Sequence, residues 1–181
     1  MRTCRAATAG KLTVVLATLV LLVAACGSSG PSPRAWAASV CSALTPWRAE
    51  ISKLTSSTNQ QMTAQTTPAQ AKENLVRLFG GAEQASETAR EKVEQAGVPE
   101  VEHGEEVSAG FRASLASMRD AYGRARTAID GLATGEASTF YDGVQDTVET
   151  LQQEYDASAL DTSRLDSEEL KRAFDEVPEC R

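Results

Sequence analysis

Few residues in this chain are of types that do chemistry. The one histidine, His103, stands in the run His103-Gly104-Glu105-Glu106. A His-x-x-Glu spacing puts an imidazole and a carboxylate on one helix face, which is how a metal site or an acid–base pair begins. With a single histidine the ligand set stays short. The plainer reading is a solvated helix start, where Glu105 and Glu106 suit the positive end of the dipole. We therefore expect no metal and no cofactor. Arg112, Arg119 and Arg126 recur at every seventh position. On a helix they form a stripe about 60–80° from the face carrying Phe111 and Tyr122. Such a stripe can receive an anion, or it can flank a helix seam and pair with neighbouring carboxylates, the reading we favour. Ser, His and Asp all occur, but there is no nucleophile elbow, phosphate loop, dinucleotide fingerprint or calcium-loop spacing. No catalytic residue is assigned, and no enzymatic activity is expected. Trp36 and Trp47 lie three turns apart on one helix face. They belong to a core or, with Phe111, form a candidate pocket for a small apolar ligand between helices.

Composition narrows the partners. The 181 residues include 18 Lys+Arg against 25 Asp+Glu, for a formal charge of −7. Nucleic acid is excluded as a partner, because phosphate contacts need clustered cations. The apolar share is 41% with aromatics at only 5%, so the core must be largely aliphatic and alanine.

The first 25 residues read as an address. Arg2, Arg5 and Lys11 precede an almost wholly apolar run, Leu12 to Val23, and then Ala24-Ala25-Cys26. Fourteen residues from Leu12 to Ala25 make about 21 Å of helix, short of a bilayer core of about 30 Å. A cleaved export signal fits better than a permanent span. Leu-Leu-Val-Ala-Ala-Cys26 resembles the bacterial lipobox, in which the cysteine sulfur receives diacylglycerol and cleavage falls just before it. That resemblance implies residues 1–25 as signal peptide and Cys26 as the lipidation site, with palmitate-type acyl chains on the mature protein. Two such chains give stable anchoring where one is marginal. Cleavage would remove three positive charges and no acid, so acyl chains rather than charge must hold so acidic a body to anionic lipid. Residues 26–34, rich in Gly, Ser and Pro, read as a tether.

Of the four cysteines, Cys4 leaves with the signal and Cys26 is taken by lipid. Cys41 and Cys180 remain. In an oxidising compartment they form one intramolecular disulfide; free thiols or an intermolecular bridge are the alternatives.

The body, residues 35–181, must position whatever function there is. Trp36, Val40, Leu44, Trp47, Ile51 and Leu54 recur at helical steps, with Pro46 expected to kink the run. Residues 55–66 carry no periodicity and read as a loop or frayed extension. Thr67-Pro68-Ala69-Gln70 matches a capping box with proline at the first helical position. It opens a helix over 68–96, weakened by Gly80-Gly81 and closed by Gly97 and Pro99. Further helices are predicted over 105–133 and 137–156. The apolar face of the latter is Phe140, Val144, Val148, Leu151 and Tyr155. A short last helix starts at Asp166, with a capping box to Glu169, and buries Leu170 and Phe174. No segment alternates with period two. The predicted fold is all-α: an up-and-down bundle of about four helices plus a short C-terminal helix, closed by one disulfide.

Trp36-Ala-Ala-Ser-Val-Cys41 with Leu44 and Trp47, the Ala-rich helical body, Gly97-Val-Pro-Glu-Val101 and the close at Pro178-Glu179-Cys180 together resemble a group of small actinobacterial membrane lipoproteins of unknown function. The resemblance spans most of residues 35–180. It implies a lipid-anchored, disulfide-closed helical domain on the extracytoplasmic face of the cell membrane, and it brings no activity. His103-x-x-Glu106 is similar to part of a motif of imelysin-like helical envelope proteins, but Val101 replaces that motif's glycine. The expected role is non-catalytic binding of another envelope protein, or carriage of a small apolar ligand.

Overall fold

The computed structural model describes residues 30–158 and 167–181; residues 1–25, expected to be a signal peptide, Cys26 and Asp166 lie outside the described residues. Five α-helices follow in order: α1 Pro33–Gln61, α2 Pro68–Gln95, α3 Gly104–Gly131, α4 Ala137–Ala157 and α5 Glu168–Glu176. A 3₁₀ turn, Pro178–Cys180, ends the chain, and no strand occurs among the described residues. None of these helices is long and apolar enough to cross a membrane.

Local chemistry sets the ends. The Ser32 hydroxyl accepts from Ala35 N at 3.3 Å, and Pro33 takes the first helical position of α1. In α2 the capping box is complete: Gln70 N donates to Thr67 Oγ1 at 3.3 Å, and Thr67 N donates to Gln70 Oε1 at 3.0 Å. Gly97 just beyond α2 has φ +74°, the left-handed turn that glycine adopts without strain. The cap of α5 is Ser167 rather than Asp166, its hydroxyl accepting from Leu170 N at 3.3 Å.

α1 departs from expectation. It runs across Pro46 and on through Gln61, so most of the stretch expected as loop is helix. Its last two turns are polar all round, which is why no hydrophobic period marks them. Thr55 Oγ1 donates to Ile51 O at 2.9 Å, returning a hydroxyl to its own helix. The partly buried Ile51 and Met62 bracket the segment and pack into the core.

The helices form an up-and-down bundle in which α2 and α3 are the closest pair, α1 packs on α2, and α4 packs on α3. Two core clusters share this frame. One joins Trp36, Val40, Leu44 and Trp47 of α1 to Val93, Phe111, Leu115, Met118 and Leu170. The other joins Leu75 and Phe79 to Tyr122, Ala125 and Ile129, with Val144 and Leu151 of α4 against it. So α5 takes the fourth position at one end of the bundle, and α4 takes it at the other.

The Gly80-Gly81 pair has a packing cause. A Cβ on Gly81 would stand 2.8 and 2.9 Å from the two methyls of Leu54, so glycine lets α1 close on α2. A Cβ on Gly80 would press on the Arg126 stem at 3.3 Å. The Cys41–Cys180 disulfide links α1 to the terminal turn across 139 positions of sequence, with the two Cα atoms 5.0 Å apart. Ala37, Ala173 and Val177 bury themselves beside it.

Candidate functional site

Trp36 and Phe111 meet as the centre of a packed aromatic group. Their ring centroids are 5.3 Å apart, edge to face. Phe174 of α5 completes the group, 6.0 Å from Trp36 and stacked on Phe111 at 5.8 Å. Trp36 is fully buried and Phe111 is 4% exposed. The Trp36 indole donates to Gly97 O at 3.0 Å, and the Ser108 hydroxyl donates to the same carbonyl at 2.9 Å. One backbone oxygen at the α2 cap thus gathers α1 and α3, and this fixes the tryptophan as a structural strut.

Trp47 is placed differently. Its indole donates to Ser86 Oγ at 3.0 Å, and that buried hydroxyl donates on to Ala82 O at 2.8 Å. The ring borders a surface groove of about 370 Å³ between α1 and α2. Ala43, Gly81, Ala85 and Ala89 line it with small side chains, and Glu50 and Lys92 contribute charge. Of the three aromatics considered for a pocket, Trp47 reaches this groove, and Trp36 and Phe111 are packed against one another and Phe174.

His103 precedes α3 and is not part of it. It has φ 58°, left-handed for a non-glycine residue, and makes no side-chain cap. Its ring lies 3.4 Å from Glu106 and 3.7 Å from Glu102, and all three side chains are more than half exposed. No group of three or more His, Cys, Asp or Glu able to hold a metal occurs among the described residues.

The arginine stripe of α3 meets an acidic stripe of α2 running the other way. Arg119 reaches Glu87 at 2.7 Å, Arg126 reaches Glu83 at 3.1 Å, and Arg112 lies 4.0 Å from Glu94. Arg90 bridges Glu87 and Glu94 within α2, each at 2.8 Å. Hydrogen bonds from Arg90 and then Arg119 hold the Glu87 carboxyl down to about 2. These arginines are spent on the α2–α3 seam.

α4 leaves an apolar stripe uncovered. It buries Phe140 alone, with Val144 and Leu151 half-buried against the core. Val148 and Tyr155, expected on the packed face, are 45% and 39% exposed, and Tyr141 is 43% exposed. The helix packs on α3 along one side, so residues turned beyond that side stay in water. Tyr141, Val148 and Tyr155 stand seven residues apart; the apolar period of the sequence puts Val148 and Tyr155 on the packed face and does not single out Tyr141. Burial pushes the neighbouring Tyr122 hydroxyl of α3 up to about 12, and Tyr155 adds to the shift.

What the fold and these surfaces define is a disulfide-closed all-α bundle. No protein-family model, curated protein or solved structure matches the chain.

Proposed function

We propose that this is a lipid-anchored, extracytoplasmic protein of the cell membrane whose role is non-catalytic: it binds another envelope protein through the outer face of α4. The observation that carries the reading is the stripe of Tyr141, Val148 and Tyr155, three large apolar side chains about 40% exposed on one helix face. Scattered apolar side chains on a surface need no explanation, but three in register do. Anchoring rests on the lipobox-like run ending in Cys26 and on its following tether.

The test uses the full chain in its membrane. A photoreactive amino acid substituted for Val148 is expected to give a discrete protein adduct that the same probe substituted for Thr88 does not. Cys26→Ser is expected to release the protein from the membrane fraction. Absence of any adduct at 148 refutes the binding role, and retention of the Cys26→Ser chain on membranes refutes the anchor.

The Trp47 groove favours a second reading, carriage of a small apolar ligand. That reading requires ligand-dependent quenching or shift of tryptophan fluorescence that Trp47→Phe abolishes.

A further inference from the structure

We infer that the partner of α4 is a helix with an apolar seam and a basic edge. This rests on the α4 reading above and adds the chemistry of what docks there. Tyr141 and Tyr155 are separated by about 21 Å, nearly four turns of helix. Seen down the axis, the exposed stripe continues from Val144 and Leu151 on the bundle side. Gln145 and Gln152 follow on the open side, and then Asp142, Glu149 and Asp156, again seven residues apart. Gln145 Nε2 donates to Glu149 Oε1 at 2.8 Å, and Gln152 Nε2 donates to Asp156 Oδ1 at 2.9 Å. These bonds align the glutamines with the acidic rail. All three acids of the rail are exposed, and α4 contains no lysine or arginine.

The charge selects among occupants. Interfacial helices that lie on lipid carry Lys and Arg on the polar face, and this helix has the opposite sign. A second copy would set Tyr141 against Tyr155 and Val148 against Val148 in an antiparallel pair, but it would also bring two acidic rails together, with like charges opposed. A helix whose own seam covers the three side chains, and whose lysines or arginines meet Asp142, Glu149 and Asp156, satisfies both the apolar and the charged part of the surface.

The experiment uses the purified full mature chain and two synthetic helical peptides of about 21 residues. Both carry a leucine seam; one has lysines along its flanks and the other glutamates. Binding is read by fluorescence anisotropy. The lysine peptide is expected to bind, and the glutamate peptide to bind about tenfold more weakly or less. Val148→Asp and the triple change Asp142→Asn, Glu149→Gln, Asp156→Asn are each expected to weaken the lysine peptide about tenfold. Raising salt from about 50 to 500 mM is expected to weaken binding to the parent chain and to leave the triple variant nearly unchanged. Equal binding of the two peptides, still lost in Val148→Asp, overturns the basic edge and leaves the α4 surface standing. Binding that ignores Val148→Asp overturns both. Self-association by sedimentation that Val148→Asp abolishes makes a second copy the occupant and overturns the proposal. So does flotation of the Cys26→Ser chain with phosphatidylglycerol vesicles, if Val148→Asp abolishes it, in favour of lipid. A chain that keeps its circular dichroism spectrum and melting temperature in each variant excludes misfolding as the cause.

Discussion

Replacing both Cys41 and Cys180 with serine removes a link that closes 139 positions of sequence. On the chain-entropy account, a loop of that size restricts the unfolded ensemble by about 5 kcal/mol at 25 °C. For a domain of this length each kcal/mol moves the melting temperature by about 2–4 °C, so the midpoint is expected to fall by about 10–20 °C. The loss is not spread evenly. α5 has nine residues and buries Leu170 and Ala173, with Val177 just after it. At about 1.5–3 kcal/mol for each large apolar side chain, that docking is of the same order as the entropy of ordering the segment. Without the link, α5 should therefore leave first. Its departure removes Phe174 from Trp36 and Phe111 and opens the aromatic group to water. The assay pairs thermal unfolding by far-ultraviolet circular dichroism with tryptophan fluorescence and near-ultraviolet dichroism at 25 °C. The expected variant shows a changed Trp36 environment at 25 °C, before the main transition, and a lower midpoint. A midpoint within about 3 °C of the parent, with unchanged tryptophan signals, would refute the reasoning.

His103→Gly should raise stability by about 1 kcal/mol, because glycine relieves the left-handed backbone cost at φ 58°, an amount offset in part by the freer unfolded chain; chemical denaturation reads it, and a destabilised variant would mean that the ring contributes more than its exposed contacts indicate. Glu87 is a carboxylate whose folded value is depressed, so its stabilisation is present above its ordinary value near 4.5 and is lost as pH falls toward about 2. The parent should therefore lose more stability between those pH values than Glu87→Gln, by about 1 kcal/mol for partly exposed ion pairs; identical acid profiles would show that the arginine seam carries no net energy.

Much of this architecture is legible in the residues. The Thr67–Gln70 box, Gly97 and the three-and-four spacing of apolar side chains put the limits of α2, α3 and α4 within a turn of where they fall. The disulfide follows from counting cysteines. Those signals are local, and what they miss is relational. The last turns of α1 are held by packing of the Ile51 and Met62 on either side, which no period within them reports. Phe174 is visible as an apolar residue, but its stacking on Phe111 depends on where the terminal helix docks. The arginine stripe is plain, whereas Glu83, Glu87 and Glu94 become its partners only once α2 and α3 run antiparallel in this register. Val148 and Tyr155 have the spacing of a core face. That they face water is decided by α4 packing mainly on α3, with only a slight contact to α2, so one side of the helix is left uncovered.

The Cys41–Cys180 bond also bears on what happens when the backbone is cut. All of α2, α3, α4 and α5 lies between its two sulfurs. A single protease nick anywhere in that span leaves two fragments still joined covalently, both carried by the stem that precedes Cys41. Such a molecule migrates as one band without reductant and as two with it. Releasing any of these helices as a separate fragment therefore takes a second cut or reduction of the bond, a safeguard that packing alone does not provide.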